Sequence, residues 1–227
     1  MKKQITIILT FWTFFLVGQT KEKYDQIVES FKKKGQNEKL IPYFQNELLS
    51  KPKNENVLRW LGYLCIEENK LDLAKKYYTD ALTVNSKCAL CYMNIGRVYS
   101  LKKNNTKALE YFDKAVAVDP NDGRLYSNRA KLKEFTGDKF GALFDFNKAI
   151  NLDAKNADFY IQRGLYNSKQ NYFSLAISDL DKAIELEPES YYPYFERASV
   201  YYGKQKINEA LKDINKAISL DSTQQRL

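Results

Sequence analysis

The sequence predicts an all-α protein built as an array of antiparallel helix pairs, and three observations carry that prediction. The first is a period of 34 residues. Counted from Lys21, the chain divides into units 21–54, 55–88, 89–122, 123–156, 157–190 and 191–224, the last five without insertion or deletion. The second is the return of small residues at three places: Gly62, Gly96, Ala130, Gly164 and Ala198 at the eighth, Ala74, Ala108, Ala142, Ala176 and Ala210 at the twentieth, and Ala81, Ala115, Ala149, Ala183 and Ala217 at the twenty-seventh. The third is composition. Only 9 glycines and 5 prolines stand among 227 residues rich in Lys, Leu, Ala, Glu and Tyr, a balance that favours helix over sheet or disorder. A fixed period of this length marks an architecture in which each repeat buries its apolar face against its neighbours.

Within a unit the elements follow from side-chain size. Small residues at places eight, twenty and twenty-seven let two helices approach closely, since larger side chains would force the backbones apart. Large apolar residues fill the gaps: Tyr24, Leu58, Tyr92, Tyr126, Tyr160 and Tyr194 at the fourth place, and Phe44, Tyr78, Phe112, Phe146, Leu180 and Ile214 at the twenty-fourth. A polar turn such as 102–106 joins the two helices, and a closing stretch such as Asp119-Pro120 ends the unit. The unit 21–54 is degenerate, with Val28, Leu40 and Glu47 where small residues belong and Pro42 inside its second helix. A glutamate fits poorly in a tight helix contact because an unpaired buried charge is costly. Either these helices splay or the frame slips, unless the helix starts late with Pro42 in its first turn. At the other end, the second helix of the sixth unit, expected over 207–220, carries Leu211 and Ile218 at places that normally meet a following repeat. Arrays of this kind need a polar cap for solubility, so self-association through this face is an expectation.

These recurring places carry a resemblance: the chain resembles tetratricopeptide repeat proteins, strongly over 55–224 and weakly over 21–54. The resemblance implies a right-handed superhelical solenoid whose first helices line a concave groove, and a partner protein or peptide bound in that groove. Ser86, Ala154 and Ser222 depart from the family's closing proline, and Cys65, Lys133 and Asn167 from its eleventh-place aromatic. These departures bear on local turn geometry.

Two places change together along the chain. The seventh and twenty-third hold Ile27 with Tyr43, Leu61 with Tyr77 and Ile95 with Tyr111, then Arg129 with Asp145, Arg163 with Asp179 and Arg197 with Asp213. Joint change implies contact across the helix pair, apolar in the first half and ionic in the second. The three arginines are therefore assigned to structure and not to ligand binding.

The groove positions of the family, read onto this chain, supply Arg59, Trp60 and Tyr63, then Leu90, Met93, Asn94 and Arg97, then Arg124, Ser127, Asn128 and Lys131, then Ile161, Gln162 and Leu165, and lastly Tyr192, Phe195, Glu196 and Tyr202. Arg97, Arg124 and Lys131 suit a carboxylate or an acidic segment. Asn94, Asn128 and Gln162 form a ladder of amides able to donate to and accept from a peptide backbone; equally, an amide at the sixth place belongs to the repeat pattern itself. The C-terminal end is aromatic, which also suits carbohydrate. The carboxylate clamp of the family's chaperone-binding members is matched at Asn94 and in charge at Arg59 and Arg124, and broken at Tyr63 and Asn128, so that role is rejected.

The remaining features bound the chemistry. There is no histidine, which removes His-based acid–base catalysis and His metal ligation; no catalytic set stands out, no cofactor is implied, and the expected protein is not an enzyme. Cys88 and Cys91 form a CALC motif and Cys65 stands apart. Such a pair can mean redox chemistry, half a zinc site or a small disulfide. Three cysteines without histidine fall short of four structural zinc ligands, and a redox enzyme lacks its βαβ context; outside the cytosol a Cys88–Cys91 disulfide is the expectation. Residues 1–20 read as a signal peptide: Lys2 and Lys3, an apolar run from Ile5 to Val17, then Gly18-Gln19-Thr20. The run is short for a membrane span, which needs about 20 residues, so cleavage and export are expected, with a membrane anchor as the alternative. The net charge is +8; without Lys2 and Lys3 the 36 basic residues become 34 against 28 acidic ones, or +6. With export, that charge points to an acidic partner or an anionic envelope surface and not to nucleic acid.

Overall fold

The computed structural model describes residues 23–224; the proposed signal peptide and the last three residues lie outside them. The described residues are all-α, with no strand among them. Helix α1 runs over 23–33. A 3-10 turn at Asn37–Lys39 leads into α2 (Leu40–Ser50). Then come α3 (Glu55–Glu67), α4 (Leu71–Val84), α5 (Ala89–Leu101) and α6 (Asn105–Val118). They are followed by α7 (Gly123–Phe135), α8 (Lys139–Leu152), α9 (Ala157–Lys169), α10 (Phe173–Leu186), α11 (Tyr191–Gly203) and α12 (Ile207–Gln224). Each 34-residue unit is one helix pair. The helices fall into two compact bodies, one ending at Val118 and one beginning at Asp119, which we call the N-unit (α1–α6) and the C-unit (α7–α12).

In each body the two helices of a pair pack together, and the second helix packs on the first helix of the next pair. The small places sit at these contacts: Ala74, Ala81, Ala108 and Ala115 in the N-unit and Ala142, Ala149, Ala176 and Ala183 in the C-unit are fully buried. The eighth-place glycines show why size matters. A Cβ on Gly62 would lie 2.7 Å from the Tyr78 ring, and one on Gly96 3.1 Å from the Ala108 carbonyl oxygen.

The turn within each pair is the same six times over. Gly35, Asn69, Lys103, Gly137, Asn171 and Gln205, all at the fifteenth place, have φ between 56° and 89°. The next amide donates to the eleventh-place carbonyl in every unit, as in Lys70 to Cys65, Asp138 to Lys133 and Tyr172 to Asn167, the Schellman closure of a helix. The expected disturbance at Cys65, Lys133 and Asn167 is therefore absent, because the closure uses their backbone and not their side chains. At Ala154 the missing closing proline changes little. Tyr160 Oη donates to the Ala154 carbonyl as Tyr126 and Tyr194 donate to the Pro120 and Pro188 carbonyls.

The first pair keeps the frame. Tyr24, Val28, Leu40 and Phe44 are buried like their counterparts, and α2 starts late, with Pro42 in its first turn. Glu47 is half-buried and accepts a hydrogen bond of 3.1 Å from Tyr24 Oη, which in turn accepts one from Asn54 Nδ2. A hydrogen-bonded carboxylate at the rim is tolerated where an unpaired one in the contact would not be. Burial and that bond to Glu47 push the Tyr24 phenol up to about 12.

Candidate partner-binding surfaces

The places that change together do touch. Arg129 donates through Nε and Nη2 to Asp145, at 2.8 Å each, and Lys133 adds a contact of 2.9 Å. Arg163 grips Asp179 in the same way, joined by Asn167 Nδ2 at 3.0 Å, and Arg197 grips Asp213. The eleventh-place departures Lys133 and Asn167 thus belong to these networks. The remaining end of the guanidinium reaches the preceding pair, Arg163 Nη1 to Asn147 and Arg197 Nη1 to Asp181. Fourth-place tyrosines lie beneath, with Tyr126, Tyr160 and Tyr194 rings 5.5–5.9 Å from the guanidinium carbons. Asp145, Asp179 and Asp213 are buried. In the N-unit Leu61, Ile95, Tyr77 and Tyr111 belong to one apolar cluster instead. The assignment of these arginines to structure stands on this geometry.

On the first helices of the N-unit, Trp60 and Tyr63 pack edge to face, 5.6 Å apart, on α3. Arg59 Nη1 is 3.9 Å from Glu55, and Arg97 on α5 is 3.6 Å from Glu67 on α3, with nearly half of its side chain exposed. Both contacts are longer than a charge-assisted hydrogen bond. The C-unit differs. Arg124 is held by Asp122, Nε to Oδ1 at 2.9 Å with Nη2 on Oδ2. Burial opposes ionisation of Asp122, and the bonds from the Arg124 side chain and amide outweigh it, holding the carboxyl below its ordinary range. Arg124 is thus charge-paired by its own helix cap, while Lys131 is exposed on α7.

The amide ladder folds back on itself. Asn94 Nδ2 donates to the Leu90 carbonyl and Asn128 Nδ2 to the Arg124 carbonyl, and Gln162 Nε2 donates to the Asp158 carboxylate, each at 2.8 Å. Tyr192 repeats the motif with Glu196; burial and that hydrogen bond push its phenol up to about 12. Sixth place meeting second place within one helix favours the repeat-pattern account of these amides. One N–H of each is already committed.

Fifth-place residues read as groove-lining also behave differently. Ser127 and Ile161 are buried, because this place faces the next first helix in the stack. Phe195, on the last described pair, is 49% exposed and meets Ser199, Tyr202, Ile207, Leu211 and Ile214 around an apolar cleft of about 330 Å³. Leu211 and Ile218 are 55% and 61% exposed. These C-terminal aromatic residues thus belong to the stacking face of the last described pair.

Sequence reasoning missed two features. Phe140 and Phe144 on α8 are 90% and 65% exposed. The other units carry Glu38, Asp72, Thr106, Ser174 and Asn208 at the first of these places and Pro42, Lys76, Glu110, Ser178 and Lys212 at the second. That misfit within the repeat register was the available signal. The second omission is Glu55, whose carboxylate lies within 4.8 Å of both Cys88 and Cys91 sulfurs. Counting only cysteine and histidine as ligands hid it. The structure joins Cys88 and Cys91, with Cα atoms 5.2 Å apart, and leaves Cys65 a buried thiol.

Models of the tetratricopeptide repeat match residues 59–88, 89–122, 157–190 and 191–224. The chain belongs to the tetratricopeptide repeat family. No curated protein matches it. Among solved structures it is similar to TTC0263, a thermophilic tetratricopeptide repeat protein of Thermus thermophilus, at 16% identity and a TM-score of 0.70 over 80% of this chain and 99% of that one. A tetratricopeptide repeat protein of Parabacteroides merdae ATCC 43184 gives 20% identity and 0.64 over 88% and 80%. YrrB, described as having an unusual peptide-binding site, gives 21% identity and 0.53 over 78% and 91%. At these identities the likeness is one of fold.

Proposed function

We propose that this tetratricopeptide repeat protein is a non-catalytic scaffold that binds an acidic peptide or partner segment along the first helices of the N-unit. One observation carries the reading: among the described residues, Arg59 and Arg97 meet carboxylates at no less than 3.9 and 3.6 Å. Arg59 stands on α3 with the aromatic pair Trp60 and Tyr63, and Arg97 on the next first helix, α5. A ligand carboxylate could form the short, bidentate contacts these arginines lack, while an apolar ligand side chain covers the rings. Asn94, on α5 of the same unit, offers an additional polar contact through the oxygen of its amide. Export after cleavage of residues 1–20 remains part of the proposal; among the described residues no helix is long and apolar enough to cross a membrane.

The test is capture of an acidic partner peptide by the wild-type chain and two charge-reversed forms. Arg59→Glu with Arg97→Glu should reduce binding by at least tenfold, whereas Arg124→Glu should change it little because Asp122 already neutralises Arg124. Equal losses from both would sink the assignment.

A second reading rests on the stacking face of the last pair. Phe195, Leu211 and Ile218 are exposed where equivalent interior places, such as Ile161 and Ile150, are buried. Self-association through this face predicts a concentration-dependent dimer that Leu211→Lys with Ile218→Lys returns to monomer. A wild-type chain that sediments as a monomer at high concentration removes this reading.

A further inference from the structure

We propose that Cys88, Cys91 and Glu55 form, in the dithiol state of the chain, a binding site for a soft divalent d10 cation of the zinc class. The site draws on two consecutive repeats. Cys88 is the N-cap of α5, and its sulfur accepts a bond of 3.2 Å from the Cys91 amide; Cys91 follows in the first turn of that helix. The positive end of a helix stabilises thiolates there. Glu55 is the first residue of α3, one repeat earlier, and its carboxylate oxygen lies within 4.8 Å of both sulfurs. Asn85 Nδ2 donates to Glu55 Oε2 at 2.9 Å, the kind of outer contact that fixes a carboxylate ligand and tunes its metal.

The geometry allows chelation without moving the backbone. Two sulfurs on one tetrahedral zinc, each about 2.3 Å from the metal, lie roughly 3.8 Å apart. Cα atoms 5.2 Å apart can hold that separation as well as a covalent bond, by rotation about the side chains. Both cysteines are buried, which keeps bulk water from the sulfurs. Two thiolates and one carboxylate leave the fourth position open, the arrangement of sites that bind an exchangeable group and not of closed structural ones.

The balance ties occupancy to redox state. Reduction of the Cys88–Cys91 bond by a dithiol or phosphine takes two electrons and two protons and gives two thiols. Binding of the cation then releases those two protons and forms two metal–sulfur bonds. A small-molecule disulfide in excess takes both electrons from the sulfurs by thiol–disulfide exchange, becomes two thiols with two protons from solvent, reforms the Cys88–Cys91 bond and expels the cation, since Glu55 alone is a weak ligand.

The experiment uses the full chain in a Cys65→Ala background, reduced with a phosphine without air and titrated with Cd(II). Its thiolate charge-transfer absorption reports sulfur ligation, and a competing chromogenic chelator gives the affinity. One equivalent should bind the dithiol form and none the oxidised form. Cys88→Ser with Cys91→Ser should abolish the band, and Glu55→Gln should keep the band while weakening affinity about tenfold or more, with the helical circular dichroism of every form unchanged. Equal uptake by the double serine form, or unaltered affinity in Glu55→Gln, overturns the site.

Discussion

The N-unit and the C-unit solve one packing problem with opposite chemistry. At places seven, eleven and twenty-three the N-unit sets Ile95, Tyr99 and Tyr111, with the two rings stacked 5.4 Å apart, and Leu61, Cys65 and Tyr77. At the same backbone positions the C-unit sets Arg129, Lys133 and Asp145, then Arg163, Asn167 and Asp179, then Arg197, Tyr201 and Asp213. The helices pair alike in both, so the fold does not depend on which chemistry fills these places. What differs is tolerance. An apolar contact degrades gradually as atoms are removed, whereas a buried ionic network is secure only while every member has its partner.

The sharpest way to break this comparison is at Asp145, which has no exposed surface and answers two cations. Asp145→Ala removes the buried carboxylate that Arg129 and Lys133 share and should cost about 3–5 kcal/mol in chemical denaturation. Transplanting the N-unit solution, Arg129→Ile with Lys133→Tyr and Asp145→Tyr, should cost far less and could stabilise by roughly 1–4 kcal/mol, as replacement of buried ion pairs by apolar groups often does. A transplant as unstable as Asp145→Ala would show that the two chemistries are not interchangeable here.

A smaller effect separates the bodies at the eighth place. Gly62→Ala puts a Cβ 2.7 Å from Tyr78, a buried ring that cannot swing away, whereas Gly164→Ala puts one 3.2 Å from Leu180 Cγ. Overpacking costs about 1–3 kcal/mol, and replacing a helical glycine returns about 0.5–1 kcal/mol. Gly62→Ala should therefore destabilise by about 1–2 kcal/mol and Gly164→Ala by less than about 0.5 kcal/mol, its place being filled by Ala130 and Ala198 in the same body. Thermal midpoints of the two variants test the order; equal shifts would mean that Tyr78 relaxes.

How far the sequence reached follows from what repeats. The period exposed the helix pairs, the small contacts and the paired places, because each is sampled five or six times and a coincidence does not recur. Even Glu47 kept its frame, through a hydrogen bond from Tyr24 that no spacing rule displays. The binding surface was less legible. Arg124 and Lys131 look alike as sequence, and only the bidentate contact with Asp122 separates them. Ser127 and Ile161 stood at groove positions of the family, yet the next helix buries them. Glu55 was invisible beside the cysteines because its neighbour relation spans 33 residues and depends on how two pairs stack.

The smallest expected effect sharpens the comparison by predicting no difference. Lys103 in the N-unit and Gln205 in the C-unit both hold φ of 60°, where an L side chain crowds the following carbonyl and glycine does not. Each closes its helix through backbone bonds alone, Asn104 to Tyr99 and Lys206 to Tyr201. Lys103→Gly and Gln205→Gly should each stabilise by about 0.5–1 kcal/mol, less than the full steric cost because glycine also loosens the unfolded chain. The two gains should agree within about 0.3–0.5 kcal/mol and add in the double variant, since the sites share no partner. Thermal denaturation of the two single variants and the double checks this. Unequal gains would mean that the chemistry on the helix face reaches into the turn, and the two bodies would then differ in more than their paired places.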